Sequence, residues 1–170
     1  KRLLDKLRQS RCDLILMPGD IIDDIKPLRG AEMFLDQVSA IAPCYYCTGN
    51  HENIETLITL PEVKARVRQA GITVLDKTRE TITIRGTRLT LCGVDDPRKY
   101  AYIDRDQQEE VQLMNELGSM QDCPEYTILL AHRPERSPIY AQFGFDLIVS
   151  GHAHGGQVRI PGLINGLFAP

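Results

Sequence analysis

Apolar residues in the first half of the chain form two alternating patterns. Short continuous apolar runs, such as the one that ends at Pro18-Gly19, are typical of buried strands. Between these runs, apolar residues recur every three or four positions, which is the spacing of one helix face. We therefore predict strands over 13–17, 43–48 and 72–75, and helices over 1–9, 29–41 and 61–70.

From residue 80 the apolar spacing changes to two. Ile82 and Ile84 alternate with polar residues before Gly86-Thr87, and Leu89 and Leu91 do so after it, which predicts a hairpin. Gly86 at the first turn position favours a type II′ turn. Further along we predict a helix over 105–117 and strands over 127–131, 145–149 and 158–160. The chain is therefore α/β, with sheets that helices cover on their outer faces.

Length and charge narrow the class of protein. A chain of 170 residues fits one domain with a sizeable core. Its net charge of −3 argues against a nucleic-acid surface, which usually shows a basic excess. No apolar stretch reaches the roughly 18 residues that span a bilayer. We expect a cytoplasmic protein or one peripheral to the membrane, with no nucleic-acid partner.

Five cysteines are scattered along the chain, and two of them have C-x-x-C spacing. Cys44 and Cys47 lie in a predicted strand, where residues three apart point to opposite faces. A redox or zinc motif is therefore disfavoured relative to reduced structural thiols, and the composition favours a reducing compartment.

Both ends of the chain read as interrupted. The helix predicted over 1–9 has no capping residue before it, and the chain stops at Pro170 after Gly-rich sequence. We expect a single domain over 1–170 that is truncated at its N-terminus and at its C-terminus.

Side chains that can bind metals cluster directly after the predicted strands. All four histidines of the chain occupy such positions, together with two aspartates and one asparagine. The carboxyl ends of strands are where an α/β sheet places its site. The candidate residues are His51, His132, His152, His154, Asp20, Asp23 and Asn50.

Each candidate also has an ordinary structural explanation. A single histidine after a strand is more often a hydrogen-bonded loop residue than a ligand. Asp20 and Asp23 could cap helices, and Asn50 after Gly49 could occupy a turn. These explanations do not account for the coincidence of all the candidates at strand ends.

The chemistry of the set is consistent with divalent metal ions. Imidazole and carboxylate without thiolate suit Zn, Mn or Fe, and a set that includes Asn and lacks Cys disfavours structural zinc. His152 and His154 are one residue apart, and on an extended or turn backbone their rings diverge towards two neighbouring metals. A carboxylate such as Asp20 can bridge two metals, and such a pair can clamp the attacking and leaving oxygens of a phosphoryl displacement.

Four sequence blocks together resemble the calcineurin-like metallophosphoesterase family. The family pattern is D-x-H, GDxxD, GNH[DE], a single His and GHxH, and only D-x-H is absent here. The segment GHAHGGQVRIP is similar to a bacterial branch described as phosphodiesterase- or phosphohydrolase-like. The matching blocks are Gly19-Asp20-Ile21-Ile22-Asp23, Gly49-Asn50-His51-Glu52, Ala131-His132 and Gly151-His152-Ala153-His154.

The resemblance implies a fold and a role for each matching position. The fold would be a sandwich of two mixed sheets flanked by helices, lacking its first strand. Asp20 would bridge two metals, His154 would belong to the first site, and the second would be completed by Asn50, His132 and His152. His51 would hydrogen-bond the phosphoryl oxygen or protonate the leaving group, and Asp23 would orient it.

The implied function is metal-dependent hydrolysis of phosphate esters, as a phosphodiesterase or phosphatase, by in-line attack of a metal-bridging hydroxide. The alternative is a non-catalytic binding scaffold, which the missing D-x-H block motivates. We expect two divalent ions in the parent protein and one in this chain, because the first site keeps only Asp20 and His154. Activity of this chain would then be impaired.

Weaker expectations concern the substrate and the surroundings of the site. Arg133 and Arg98, with Lys99, could hold a substrate phosphate, although surface solvation is favoured for them. Asp95 and Asp96 are expected to shape the turn before Pro97, and Glu52 to support the Asn50–His51 turn. The substrate is expected to be a phosphate ester, lipid-linked or nucleotide-linked, and the edge left by a missing strand predicts a dimer.

Overall fold

The computed structural model describes residues 2–23, 27–54, 57–97 and 105–155, and within them helices and strands alternate. The predicted elements that fall in these ranges are confirmed, with small shifts at their ends, and the strand predicted over 158–160 lies outside them. The helices are α1 (Arg2–Ser10), α2 (Arg29–Val38), α3 (Leu60–Gln69), α4 (Arg105–Gly118) and the short α5 (Ser137–Tyr140). The strands are β1 (Ile15–Pro18), β2 (Cys44–Cys47), β3 (Thr73–Val74), β4 (Thr78–Ile84), β5 (Thr87–Gly93), β6 (Tyr126–Leu130) and β7 (Leu147–Val149).

The strands form two sheets. In the first, β1, β2 and β3 are parallel neighbours in that order, with Ile15 opposite Cys44 and Tyr45 opposite Thr73. In the second, β4 pairs antiparallel with β5, while β5, β6 and β7 run parallel. The expected two-sheet α/β fold is confirmed, and among the described residues only the second sheet is mixed.

Side-chain alternation in the strands builds three apolar layers. Residues on one face of each sheet, including Cys47, Leu91 and Leu130, fill the space between the sheets. The opposite face of the first sheet packs on α1, α2 and α3, and that of the second sheet packs on α4 and α5. This α/β/β/α layering follows from the period of two along each strand.

The C-x-x-C spacing lies in β2, and its two thiols face different layers. Cys44 packs in the helix-covered layer, whereas Cys47 packs between the sheets. All five cysteines are free. The two cysteines of the C-x-x-C spacing are therefore not placed to act as a pair, and their redox state stays a prediction.

The β4–β5 hairpin has a different turn from the predicted one. Ile84 pairs with Thr87, so the turn residues are Arg85 and Gly86 rather than Gly86 and Thr87. Both have positive φ, at 48° and 84°, as a type I′ turn requires. The prediction of a type II′ turn was wrong because it placed the strand register one residue too far along.

No helix among the described residues combines the length and apolar character needed to cross a membrane.

A buried ion cluster joins α3 to the ends of both sheets. Lys64 on α3 donates to Asp76, which follows β3, at 2.6 Å and to Asp95, which follows β5, at 2.5 Å. The Lys64 and Asp95 side chains are each 10% exposed. Burial and the neighbouring Asp76 carboxyl raise the pKa of Asp95. The ammonium of Lys64 therefore pairs with one buried carboxylate, Asp95, and with one that is a third exposed, Asp76.

We expect Lys64→Met to lower the free energy of unfolding by about 3–5 kcal/mol, because it leaves the buried carboxyl group of Asp95 without its cation. Urea denaturation followed by circular dichroism measures this. Lys6→Met is the matched control, since Lys6 is exposed on α1, and its effect should stay within about 0.5 kcal/mol. Equal effects of the two substitutions would contradict the assignment.

Candidate metal centre and active site

The predicted site residues follow strands whose carboxyl ends meet at one edge of the sandwich. Asp20 and Asn50 follow the neighbouring parallel strands β1 and β2, while His132 and His152 follow β6 and β7. The backbone N–H of Gly151 donates to the carbonyl of His132 at 3.1 Å, which extends the β6–β7 pairing to the two histidines. The four residues therefore lie together at one edge of the sandwich, because the carboxyl ends of these strands meet there.

Ligand-type atoms from both sheets converge there. His132 Nε2 lies 3.0 Å from Asn50 Oδ1 and 3.2 Å from Asp20 Oδ2. The His152 ring centroid lies 5.0 Å from that of His132, and ligand atoms of Asp20, His132 and His152 lie within 4.8 Å of one another. Two atoms bound to one ion at about 2.1 Å and at right angles are about 3 Å apart. The spacing therefore fits a metal-binding cluster.

The hydrogen-bonding of His132 also favours a cation. Its Nδ1–H donates to the carbonyl of Pro18 at 2.7 Å, so the Nε2 of the neutral ring is an acceptor. That nitrogen faces the side-chain oxygens of Asp20 and Asn50. Asp20 Oδ2 is buried and has no hydrogen-bond donor in the described part of the chain other than a protonated His132. Three acceptor atoms thus face one point, and a divalent ion at that point would bind all three.

The pKa shifts of the cluster follow from burial and from mutual charge. Burial alone lowers the pKa of His132, but the Asp20 carboxylate and the Pro18 carbonyl outweigh it and raise the pKa above its usual value. Burial raises the pKa of Asp20, but His132 and the His51 N–H bring it below its usual value. Burial and the charge of Arg133 lower the pKa of His152. Asp20 is therefore anionic and His152 neutral at pH 7, the forms that bind metals.

The backbone is unusual at the site. Asp20, His152 and His154 have φ values of 55°, 58° and 50°, in the left-handed region of backbone conformation that residues other than Gly rarely adopt. Such strain persists only where the surrounding structure holds it, and it concentrates at functional sites. Gly19 has φ of 84°, and a Cβ there would lie 2.6 Å from His132 Nδ1. The turn after β1 therefore depends on a glycine for both conformation and space.

One buried carboxylate holds the two loops of the first sheet together. Glu52 is 1% exposed, and its Oε1 accepts the N–H groups of Ile21 at 2.7 Å and Ile22 at 3.0 Å. Its Oε2 accepts those of Asp20 at 3.0 Å and Gly49 at 2.7 Å. The His51 N–H in turn donates to Asp20 Oδ1 at 3.1 Å. Glu52 was expected to support only its own turn, and it also shapes the loop that carries Asp20.

Three further predicted residues, His51, Asp23 and His154, lie outside the cluster of Asp20, His132 and His152. His51 and Asp23 are partly buried beside the two loops, and both interact with neighbours. His154 is exposed, in contrast to the partly buried His152, and it lies outside the cluster of Asp20, His132 and His152. Arg98 and Lys99 lie outside the described residues.

Arg133 is ion-paired rather than solvated. Its Nε donates to Asp96 Oδ2 at 2.7 Å and its Nη1 to Glu135 at 3.0 Å, and the side chain is 16% exposed. The expectation of surface solvation was therefore wrong for this residue. Asp96 is 2% exposed, so it is a buried counter-ion as well as part of the turn before Pro97.

Sequence reasoning missed Thr48, Lys64 and the ion-pairing roles of Asp95 and Asp96. Thr48 is fully buried and donates to Asp95 at 2.7 Å, across 47 positions of sequence. The position of Thr48 directly before Gly49-Asn50 was a usable signal, because a buried polar residue next to a site usually has a partner there. Nothing local in the sequence points to Lys64.

Comparisons with known proteins agree on one family. A family model described as calcineurin-like phosphoesterase matches residues 1–156. A metallophosphoesterase of Caenorhabditis elegans is 32% identical over 163 residues, covering 92% of this chain and 33% of that protein. Phosphodiesterase YaeI of Escherichia coli K12 is 28% identical over 164 residues, covering 95% of this chain and 56% of that protein. The chain thus spans between a third and just over half of these relatives.

A solved structure shares the fold. NAD nucleotidase (NadN) of Haemophilus influenzae superposes with a TM-score of 0.56 at 21% identity, over 91% of this chain and 32% of that one. At this identity the likeness concerns the arrangement of helices and strands alone.

We expect Glu52→Gln to lower the free energy of unfolding by about 2–4 kcal/mol, because an NH2 group would face two backbone donors that now share one oxygen. Chemical denaturation measures the loss. Glu32→Gln is the control: it breaks a half-exposed ion pair with Arg66, which should cost under about 1 kcal/mol. A Glu52→Gln protein as stable as the control would show that the four hydrogen bonds contribute little.

Proposed function

The chain belongs to the calcineurin-like phosphoesterase family, and from that membership and the geometry above we propose that it serves metal-dependent hydrolysis of phosphate esters. One observation carries the proposal. The acceptor atoms of Asp20, Asn50 and His132 converge with no donor between them unless His132 is protonated, and His152 lies beside them. Imidazole nitrogens with carboxylate and amide oxygens are a set of ligand atoms that suits a divalent cation.

The candidate ligands would be divided between two metal ions. Asp20, Asn50, His132 and His152 would hold one divalent ion, and Asp20 and His154 would contribute to a second. Such ions, when bound, supply positive charge for the developing negative charge of phosphoryl transfer and acidify water. Manganese, iron and zinc all suit this mixture of imidazole and carboxylate.

His51 and Arg133 would supply proton donation and attraction of the substrate. The backbone N–H of His51 donates to Asp20 Oδ1, which holds this residue next to the cluster, and its imidazole would donate a hydrogen bond or a proton to a substrate oxygen. Asp23 would orient that ring. Arg133 has two N–H groups beyond those that bind Asp96 and Glu135, and its charge near His152 would attract an anionic substrate.

We propose a phosphodiester as the substrate class, with support from the relative in Escherichia coli that is named a phosphodiesterase. Arg98 as a second phosphate contact, a lipid-linked or nucleotide-linked ester as the natural substrate, and dimerisation through a sheet edge stay predictions.

We expect the chain to hydrolyse bis-p-nitrophenyl phosphate slowly when Mn²⁺ is added, and not in the presence of a chelator. His51→Ala should lower kcat about 10²–10⁴-fold because it removes a proton donor, and Asp20→Asn should abolish turnover. Asp36→Asn is the control, since Asp36 is exposed on α2. Turnover indifferent to both changes would refute hydrolysis at this site, whereas metal binding without turnover would favour a binding scaffold.

We expect one tightly bound divalent ion per chain, because only one of the two proposed sites has four protein ligands. Equilibrium dialysis with metal analysis counts the bound ions. His132→Ala should remove the tight ion, while His154→Ala should leave it in place. Two tight equivalents on the unaltered chain would contradict this division of the ligands.

A further inference from the structure

A continuous series of buried polar contacts runs from α3 to the candidate metal centre. Lys64 donates to Asp95 Oδ2 at 2.5 Å, and Asp95 Oδ1 accepts the Thr48 hydroxyl at 2.7 Å. Thr48 Oγ1 also accepts the backbone N–H of Asp96 at 3.3 Å, and the Asp96 carboxylate holds Arg133 at 2.7 Å. The hydroxyl of Thr48 is therefore the junction of the series.

The direction of each hydrogen bond at Thr48 is determined by its partners. A carboxylate only accepts and a backbone N–H only donates, so the hydroxyl gives its hydrogen to Asp95 and receives that of Asp96. Thr48 is 0% exposed, so water does not compete for either bond. Removing the hydroxyl would take one hydrogen-bond partner from a buried acceptor and one from a buried donor.

Thr48 stands directly before the loop that supplies Asn50 and His51. That loop is tied to the same pair of aspartates at both ends. Thr48 binds them at the start, and the Asn53 side-chain amide donates to the carbonyl of Asp96 at 3.1 Å at the end. Asn50, between these two attachments, is 5% exposed, and its Oδ1 faces His132. The position of that oxygen therefore depends on how Thr48 and Asn53 are held.

The two sides of the site are linked through this junction. Asn50 comes from the first sheet, whereas Arg133 follows β6 of the second sheet and is held by Asp96. Asp95 and Asp96 follow β5, which pairs with β6. The hydroxyl of Thr48 is thus, with the side-chain amide of Asn53, a contact through which the first-sheet loop meets the Asp95–Asp96 pair.

We propose that Thr48 is a positioning residue of the metal centre: through Asp95 and Asp96 it sets Asn50 in the first sheet relative to Arg133 in the second. The proposal rests on the metal-dependent function proposed above and adds to it a residue that touches neither metal nor substrate. Partners that orient metal ligands typically change metal affinity about 10–100-fold when removed.

The test is a Co²⁺ titration of the chain followed by its visible absorption, which reports both affinity and ligand geometry. Thr48→Val keeps the size of the side chain and removes the hydroxyl, and it should raise the Kd for Co²⁺ at least about tenfold and alter the absorption bands. Thr48→Ser keeps the hydroxyl and should restore both. Circular dichroism and thermal midpoints of all three proteins separate this effect from unfolding.

The outcomes distinguish this proposal from the function on which it rests. A Thr48→Val protein with the affinity and spectrum of the unaltered chain would overturn the positioning role alone. An unaltered chain that binds no Co²⁺ would overturn both. If Thr48→Val does not fold, Asn53→Ala removes the other attachment of the loop, and unchanged Co²⁺ binding by that protein would overturn the positioning role.

Discussion

Four backbone N–H groups, from the two loops that follow neighbouring strands of the first sheet, converge on the buried carboxylate of Glu52. Backbone donors buried at loops must find acceptors, and here a single side chain satisfies them. Because one of these donors belongs to Asp20, the left-handed conformation of that residue is held from outside its own loop. The position of the Asp20 carboxylate, and with it the candidate metal centre, depends on this interaction.

The candidate centre otherwise gathers acceptor atoms around His132 Nε2, and among the described residues Asp20 Oδ2 has no donor unless His132 is protonated. His132 is oriented by the carbonyl of Pro18, and Asp20 by the N–H of His51, so neither is free to turn away. Sites that bind cations commonly have this character, since the ligands are arranged before the ion arrives and their partners hold them in place.

A second set of buried charges connects the sheets behind the centre. Lys64 is shared between Asp76 and Asp95, and Arg133 pairs with Asp96. Buried ion pairs contribute little net stability, but the loss of one partner is costly. Their effect here is to specify geometry, because the loop that carries Asn50 is attached to the same aspartates that hold Arg133.

Sequence alone determined the order of helices and strands, the α/β class and the metal-capable residues at strand ends, because periodicity and motif spacing are local properties. It misplaced the hairpin turn by one residue, since register depends on the pairing of Ile84 with Thr87. Only the tertiary structure decided that Glu52 joins two loops, that Arg133 is paired and that Thr48 meets Asp95. Those partners lie 30 to 47 positions apart along the chain, and burial, which makes their hydrogen bonds obligatory, exists only once the two sheets have packed.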